Sequence, residues 1–386
     1  MTLVILCGCL RPGADGVGDY SRLLAAACCQ AGVPTHLLAL HDPHVCQPDP
    51  SSQETAGQLL ECLRLPASLP WSARLALAEQ QLQAWNCRAL SLQFVPYAFD
   101  RRGLSPNLPA LIAALAYPTA RDQAPRRLHL MFHEIWIGLN RSSSLRSRII
   151  GRLQRRVIAQ LHHHGRPHLV HTSNGPYSAC LRSIGIQAQQ LPLYSNLPQP
   201  PTPVQPEPGH FTACLFGRIP PEWAPEPVLE ALVAEAGRRQ CRPRLRVLGR
   251  PHRSAGWLNP LRERWPWLEI EDRGPVACPR KLAGLIQASN LGLATTPWAL
   301  VEKSGAVAAF LSLGVPVLVS RNDWQLRRRW GGSATPTLAA HANLFPLSQW
   351  GCPTPGPSYV PPTPQQVASR LLHGLDLPIP MPSPLK

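Results

Sequence analysis

Along this chain short apolar runs alternate with stretches whose apolar residues recur at helical spacing, and this alternation predicts parallel βαβ units. Residues 3–7 form the first predicted strand, 11–18 a glycine-rich loop, 20–31 a helix with Leu23, Leu24 and Ala27 on one face, and 35–40 a second strand. Such a unit opens a Rossmann-like domain. Residues 44–69 are less regular and read as a surface excursion, before a helix over 72–83 and strands over 89–95 and 128–132. A basic helix is predicted over 141–164, and 169–173 and 190–194 read as the last strands of this half.

The pattern then breaks. Residues 198–209, PQPPTPVQPEPG, suit neither helix nor sheet, because proline lacks the N–H and fixes φ, and they predict a semi-rigid linker. Beyond it, strands at 211–216, 244–248, 268–272 and 291–295 alternate with helices at 225–237 and 279–288, a second βαβ array. The expected division is 1–196, a linker at 197–209, 210–350, and a proline-rich tail at 351–386 with one helix over 363–375 and a loosely held end beyond 377.

Length agrees with two cores, since 386 residues exceed what one usually serves. Lysine and arginine outnumber aspartate and glutamate by 38 − 22 = 16, so the partner is expected to be negative: phosphates, an acidic polymer or an anionic membrane face. Arg141, Arg146, Arg148, Arg152, Arg155 and Arg156 concentrate this charge on the basic helix, although a solvated face is the usual meaning of such a run. The 12 cysteines include no C-x-x-C pair, which argues against zinc or a disulfide framework and for a reducing cytoplasm. The opening MTLVILCGCLRPG has no basic flank and reads as a buried strand rather than a signal peptide. No run approaches the roughly 18 apolar residues of a membrane span.

The stretch VEKSGAVAAFLSLGVPVLVS, residues 301–320, carries the chemistry best. Ser304 is placed to cap a short apolar helix that begins at Gly305 and stops at Gly314, with a buried strand at 315–319. Glu302 and Lys303 stand just before that cap, beside free N–H groups and the positive end of the helix dipole. A cation there is unfavourable by a few tenths of a kcal/mol or more, order of magnitude, unless an anion joins it. A solvated Lys303 reaching away from the turn accounts for the residue about equally well. In the first half, ligands are expected outside the carboxyl ends of the strands, which nominates Gln93 to Tyr97 and His133 to Trp136. The loop ADGVGDYS invites a dinucleotide reading with Gly16, Gly18 and Asp42, but Ser21 stands at the third glycine position. Gly16 and Gly18 serve equally as a ligand wall or as a tight turn with positive φ.

In their order along the chain, GVGDYSRLL (16–24), FHE (132–134), FGR (216–218) and EKSGAVAAFLSLGVPVLVS (302–320) resemble the large retaining, metal-independent family of nucleotide-sugar glycosyltransferases with the GT-B fold. The resemblance implies an α/β chain of two Rossmann-like domains facing across a cleft, acceptor side first and nucleotide-sugar side second. It implies that His133 faces the transferred sugar, that Arg218 meets the diphosphate, and that Glu302, the first glutamate of an E-x(7)-E motif, faces sugar or ribose hydroxyls. Gly16, Gly18, Ser304 and Gly305 would line the donor. Two departures stand out: Phe310 occupies the second glutamate position, and the segment 219–223 after Arg218 contains Glu222 where the family has a lysine. Lys303 could supply the lost charge.

The implied activity is sugar transfer with retention from a nucleotide sugar to a carbohydrate or lipid-linked acceptor, in polysaccharide or glycoconjugate synthesis. No cofactor, no metal and no specific nucleic acid is expected, and the location is cytoplasmic with peripheral contact at an anionic inner membrane face. The alternatives are a non-catalytic GT-B relative acting as scaffold or regulator and, more remotely, a dinucleotide-dependent oxidoreductase.

Overall fold

A computed structural model describes residues 1–118, 124–220, 223–249, 256–331, 336–351 and 356–377. The chain forms two compact units, Met1–Pro192 with Leu326–Gly332 and Pro362–Lys386, and Leu193–Gln325 with Ser333–Pro361.

The first unit is built on an eight-stranded sheet. In chain order it contains β1 (Thr2–Cys7), α1 (Gly16–Gln30), β2 (Thr35–Asp42), β3 (Asp49–Thr55), β4 (Gln58–Pro66), α2 (Trp71–Ala84), β5 (Cys87–Phe94), α3 (Pro96–Phe99), α4 (Leu108–Ala116), β6 (Arg127–Phe132), α5 (Leu145–Gly165), β7 (Leu169–Thr172), α6 (Gly175–Arg182) and β8 (Gln189–Gln190). The sheet order is β3-β4-β2-β1-β5-β6-β7-β8, parallel except for the β3–β4 pair. From β1 the chain works outward to β2 and then returns to place β5 on the other side of β1, so the topological switch lies between β1 and β5. The inner strands are apolar throughout: Leu3 to Cys7 and Leu37 to Leu40 are fully buried, as expected of strands covered on both faces. A C-terminal helix, Pro364–Gly374, belongs to this unit; Thr363 caps it and forms a reciprocal capping box with Gln366.

Three expectations need correction here. The stretch 44–69 contains the β3–β4 hairpin, held to β2 by Arg64, whose guanidinium reaches both Asp42 (2.9 Å) and Asp49 (3.1 Å). Its alternating exposed and half-buried positions mark an edge strand, which a search for apolar runs passes over. The basic helix starts at Leu145 rather than 141, because Ser144 accepts the Ser147 N–H and so caps it. Helix α1 starts at Gly16 rather than 20, because Asp15 caps it, and Gly16 and Gly18 are therefore helical rather than loop residues.

The second unit is a six-stranded, all-parallel sheet of order β11-β10-β9-β12-β13-β14. Its elements are β9 (His210–Phe216), α7 (Glu226–Arg238), β10 (Arg242–Leu248), α8 (Asn259–Arg264), β11 (Glu269–Gly274), α9 (Pro279–Gln287), β12 (Leu291–Ala294), α10 (Gly305–Ser312), β13 (Val317–Val319) and β14 (Leu344–Pro346). The switch point lies between β9 and β12. One core packs β9, α7 and β10 around Leu215, Leu229, Leu232 and Trp223, and another packs α9, α10 and β13 around Ile286, Phe310 and Val317. Some of the arginine excess is neutralised on this sheet, where Arg244 pairs with Glu269 (2.8 Å) and Arg246 with Glu271 (2.6 Å).

Candidate functional site

In the first unit the carboxyl ends of β1, β5 and β6 carry the candidate residues. Asp15 accepts from the N–H groups of Val17 (3.3 Å) and Gly18 (3.1 Å), so the positive end of α1 already holds a carboxylate where a phosphate could otherwise bind. Burial raises the Asp15 pKa, opposed by those two hydrogen bonds. Neither Gly16 nor Gly18 has positive φ; that conformation falls to Gly13, at +69°. Gly18 is required for a different reason, since a Cβ there would overlap the carbonyl oxygen of Cys9, whereas a Cβ on Gly16 would meet open space. Gly8 is pressed in the same way against Ala98 of α3, where a Cβ would stand 2.6 Å from the carbonyl oxygen, which brings the loops after β1 and β5 together.

His133 follows β6 and is buried. Tyr20 of α1 meets its ring edge-on at 4.8 Å between centroids, so the glycine-rich turn and His133 belong to one place. The Nε2 of His133 lies 2.8 Å from Gln93 Oε1, and Gln93 Nε2 donates to Ser91 Oγ across 2.8 Å. Ser91 Oγ lies 2.8 Å from His129 Nδ1, and His129 Nε2 lies 3.0 Å from His171 Nδ1. With neutral rings every bond runs in one sense: His133 donates to Gln93, Gln93 and Ser91 donate toward His129, and His129 donates to His171. Burial first, and then a neighbouring charge, depresses the basic pKa of His171 to about 4; burial also holds His133 to about 4, against the pull of Glu134, and His129 well below its ordinary value. The consequence for His133 is a fixed tautomer, with the proton on Nε2 and the lone pair on Nδ1. Gln93 was nominated by its place at a strand end; Ser91, His129 and His171 were not. Their signal was present as polar residues inside otherwise apolar strands, LSLQF, LHLMF and LVHT.

Asp42 is buried, accepts from Leu10 N (3.1 Å) and His44 N (2.9 Å), and pairs with Arg64. These bonds hold its pKa low against the opposing effect of burial. The carboxylate is consumed by the fold, and the dinucleotide reading loses its ribose ligand.

In the second unit the candidates gather at the switch point between β9 and β12. Gly217 takes φ +91° after β9 and Gly249 takes φ +115° after β10, and a Cβ on Gly249 would stand 2.8 Å from Gly217 O. Arg218 is exposed, and its carbonyl accepts from Thr295 Oγ1 (3.3 Å), just past β12. A Cβ on Gly217 would lie 3.8 Å from Ala306 Cβ, which sets the Arg218 turn beside the first turn of α10. Ser304 caps that helix by accepting the Val307 N–H (3.4 Å), as its sequence predicts, and Gly305 faces open space. Glu302 and Lys303 close a 3₁₀ turn, Trp298–Lys303, and Glu302 Oε1 accepts the Thr337 N–H (2.7 Å) and the Thr337 hydroxyl. Arg218, Glu302, Lys303, Ser304 and Gly305 therefore share one neighbourhood.

Both departures from the family pattern have a packing explanation. Phe310 is fully buried, its ring edge-on to Phe216 at 6.3 Å and lying where a Cβ on Gly292 would be 2.5 Å away. A carboxylate at that position would be buried among hydrocarbon. In the segment after Arg218, Ile219 and Trp223 are buried anchors, and Trp223 Nε1 donates to Ser320 Oγ (2.8 Å). Glu222 lies outside the described residues.

No protein-family model matches the chain, and no curated protein matches it in sequence. Solved structures do match in fold. A trehalose-phosphate synthase (UDP-forming) from Burkholderia xenovorans, in complex with glucose-6-phosphate, superposes with TM-score 0.54 at 11% identity, covering 98% of this chain and 93% of that one. The pneumococcal O-GlcNAc transferase GtfA, in complex with UDP and GlcNAc, gives 0.51 at 7% identity over 97% and 91%. The lipopolysaccharide outer core galactosyltransferase WaaB gives 0.50 at 11% identity over 97% and 90%. The fold, two Rossmann-like α/β units in succession, is that of GT-B glycosyltransferases.

Proposed function

We propose that the chain is a glycosyltransferase that moves a sugar, with retention, from a nucleotide-sugar donor to a carbohydrate or lipid-linked acceptor. The observation that carries this reading is the approach of the Gly217–Arg218 turn to the start of α10, beside Lys303. Breaking the bond between the anomeric carbon and phosphate leaves a diphosphate, and fixed positive groups that meet its growing charge lower the barrier. Arg218, Lys303 and the N–H groups of α10 have that character without a metal. The acceptor oxygen bonds to the anomeric carbon on the face the diphosphate leaves, and the departing phosphate oxygen takes the acceptor proton, so no side-chain base is needed. Glu302, fixed by Thr337, would accept from donor hydroxyls. In the first unit, the Nδ1 lone pair of His133 would accept a sugar hydroxyl. The carboxylates of Asp15 at the cap and Asp19 in the first turn of α1 suit neutral hydroxyls better than phosphate, which favours sugar over diphosphate at Gly16 and Gly18.

The test is calorimetric titration of uridine and guanosine diphosphates and their hexose conjugates, with and without EDTA, followed by assay of sugar transfer. Binding and turnover that survive chelation support the reading, and an absolute need for magnesium or manganese would sink this mechanism. The buried Phe310 favours a second reading, a non-catalytic GT-B relative, because the usual ribose carboxylate cannot be rebuilt there. Failure of the wild-type chain to bind any nucleotide would select it.

We also infer contact with an anionic membrane surface through α5. Leu145, Ile149 and Leu153, spaced by four residues, are 72%, 50% and 39% exposed, and they form an apolar stripe flanked by Arg146, Arg152 and Arg156. No helix among the described residues is long and apolar enough to cross a membrane.

A further inference from the structure

The loop after β6 and residues 326–331 build a second basic centre in the first unit. Gly138, at φ +80°, lets the loop lie against α5, where a Cβ would stand 2.8 Å from Ser147 O and 2.9 Å from Arg148 Cα. Gly151 of α5 answers it, since a Cβ there would overlap Ile137 O, and Gln154 Oε1 accepts the Ile137 N–H (2.9 Å). On its other side the loop pairs with the RRRW segment: Asn140 bridges Leu326, and Arg327 N donates to Leu139 O (3.1 Å). Two tryptophans meet in this seam, Trp136 and Trp330, with ring centroids 5.5 Å apart. The guanidinium carbon of Arg329 stands 4.2 Å, and that of Arg155 5.5 Å, from the Trp330 ring centroid.

Several donors in this seam have no partner. Trp136 and Trp330 are 3% and 7% exposed, yet neither indole N–H finds an acceptor, and the same holds for Arg148 Nε and Arg327 Nη1. A buried donor left unmade costs roughly 1–3 kcal/mol, so so many in one place call for an acceptor. No carboxylate pairs with Arg148, Arg155, Arg327 or Arg329 among the described residues. Partial desolvation, and then the charges of Arg327, Arg155, Arg152 and Arg148, hold the Arg329 pKa below its ordinary value, although the guanidinium stays charged. Like charges held this closely by backbone contacts, with no acid between them, are arranged for an anion.

We propose that Arg155 and Arg329, stacked on Trp330, together with Arg148 and Arg327, whose charges reach Arg329, bind a phosphate group, and that this phosphate belongs to an acidic acceptor. Phosphate fits better than a single carboxylate because it offers oxygens to several guanidinium groups and to an indole N–H at once. Trp136, at the edge of this centre, stands three residues beyond His133 on the loop that follows the carboxyl end of β6, where ligands of such folds bind. The acceptor assignment rests on the glycosyltransferase reading; phosphate binding does not.

The test titrates inorganic phosphate, a hexose 6-phosphate and uridine diphosphate into the wild-type chain, Arg155→Gln/Arg329→Gln, Trp330→Phe and Lys303→Ala, with melting temperature as the folding control. The double variant is expected to bind hexose phosphate at least tenfold more weakly while keeping uridine diphosphate. Trp330→Phe, which keeps an aromatic face and removes the indole N–H, is expected to weaken hexose phosphate severalfold, and Lys303→Ala to do the reverse of the double variant. Equal hexose phosphate binding in wild type and double variant, or none in wild type, overturns the site. Loss of hexose phosphate in the double variant, with no uridine diphosphate binding even in wild type, upholds the phosphate site and overturns its assignment to an acceptor. Phosphatidylglycerol vesicles that sediment the wild type and not the double variant, without any binding of soluble phosphates, would transfer the site to a lipid headgroup and overturn the acceptor assignment too.

Discussion

His133 donates its Nε2 proton to Gln93 Oε1 across 2.8 Å, and the direction of that bond is set from the far end, because Gln93 spends its own amide N–H on Ser91. The imidazole therefore presents Nδ1 as an acceptor. Nitrogen NMR of labelled protein near neutral pH should find His133 as the Nε2–H tautomer, and Gln93→Leu should lose that preference and lower the melting temperature, since a buried N–H is left without its partner at a cost of about 1–3 kcal/mol. An Nδ1–H tautomer in the wild-type chain would refute the direction of the relay.

The same relay gives the fold a pH dependence with a definite sign. His129, His133 and His171 titrate lower in the folded chain than in the unfolded one, so below the unfolded value near 6.5 the unfolded state binds more protons. Stability should be full above about pH 6.5 and fall as pH drops toward 4, because the unfolded chain takes up protons that the buried rings refuse. Melting temperature against pH measures this, and His129→Gln should flatten the curve.

Lys303 ends the 3₁₀ turn Trp298–Lys303 and stands just before the Ser304 cap of α10, beside a helix start that favours an anion. Lys303→Ala should leave the fold intact and weaken nucleoside diphosphate binding by about 1.5–3 kcal/mol, the size of a lost charge-assisted hydrogen bond. Lys303→Arg should recover only part, because a planar fork does not replace a compact ammonium in a tight turn. Titration calorimetry decides; equal binding by Lys303→Ala makes it a surface residue.

Phe310 and Gly292 should behave as one packing unit. Gly292→Ala forces a methyl into the Phe310 ring and should cost about 1–3 kcal/mol, and Phe310→Ala about 3–5 kcal/mol. The double variant should be more stable than the sum of the two losses, as chemical denaturation would show; simple additivity would mean that the ring is not what excludes a side chain at 292.

The α5 surface should bind phosphatidylglycerol vesicles and ignore phosphatidylcholine. Ile149→Ser/Leu153→Ser should abolish sedimentation with vesicles even at low salt, and Arg146→Glu/Arg152→Glu should weaken it most at low ionic strength, where the attraction is least screened. Unchanged sedimentation in both variants returns this helix to a solvated face.

What the amino-acid order determined by itself was whatever depends on nearest neighbours and periodicity. The buried strands, the alternation of βα units, the cap at Ser304 and the stop at Gly314 are all local, because a strand or a capped helix is specified by residues a few positions apart. The edge hairpin β3–β4 escaped because its pattern is half polar, and the start of α1 moved because the Asp15 cap lies within what looks like a glycine loop. Only tertiary structure could decide the rest. Ser91, His129 and His171 form a relay because β5, β6 and β7 lie side by side, with His129 opposite Ser91 and His171 opposite Met131, Thr337 finds Glu302 from 35 residues away, and RRRW meets Trp136 through a pairing between segments far apart in the chain. Such contacts depend on which strand lies beside which. No periodicity along the chain encodes that adjacency; it is set when the cores pack.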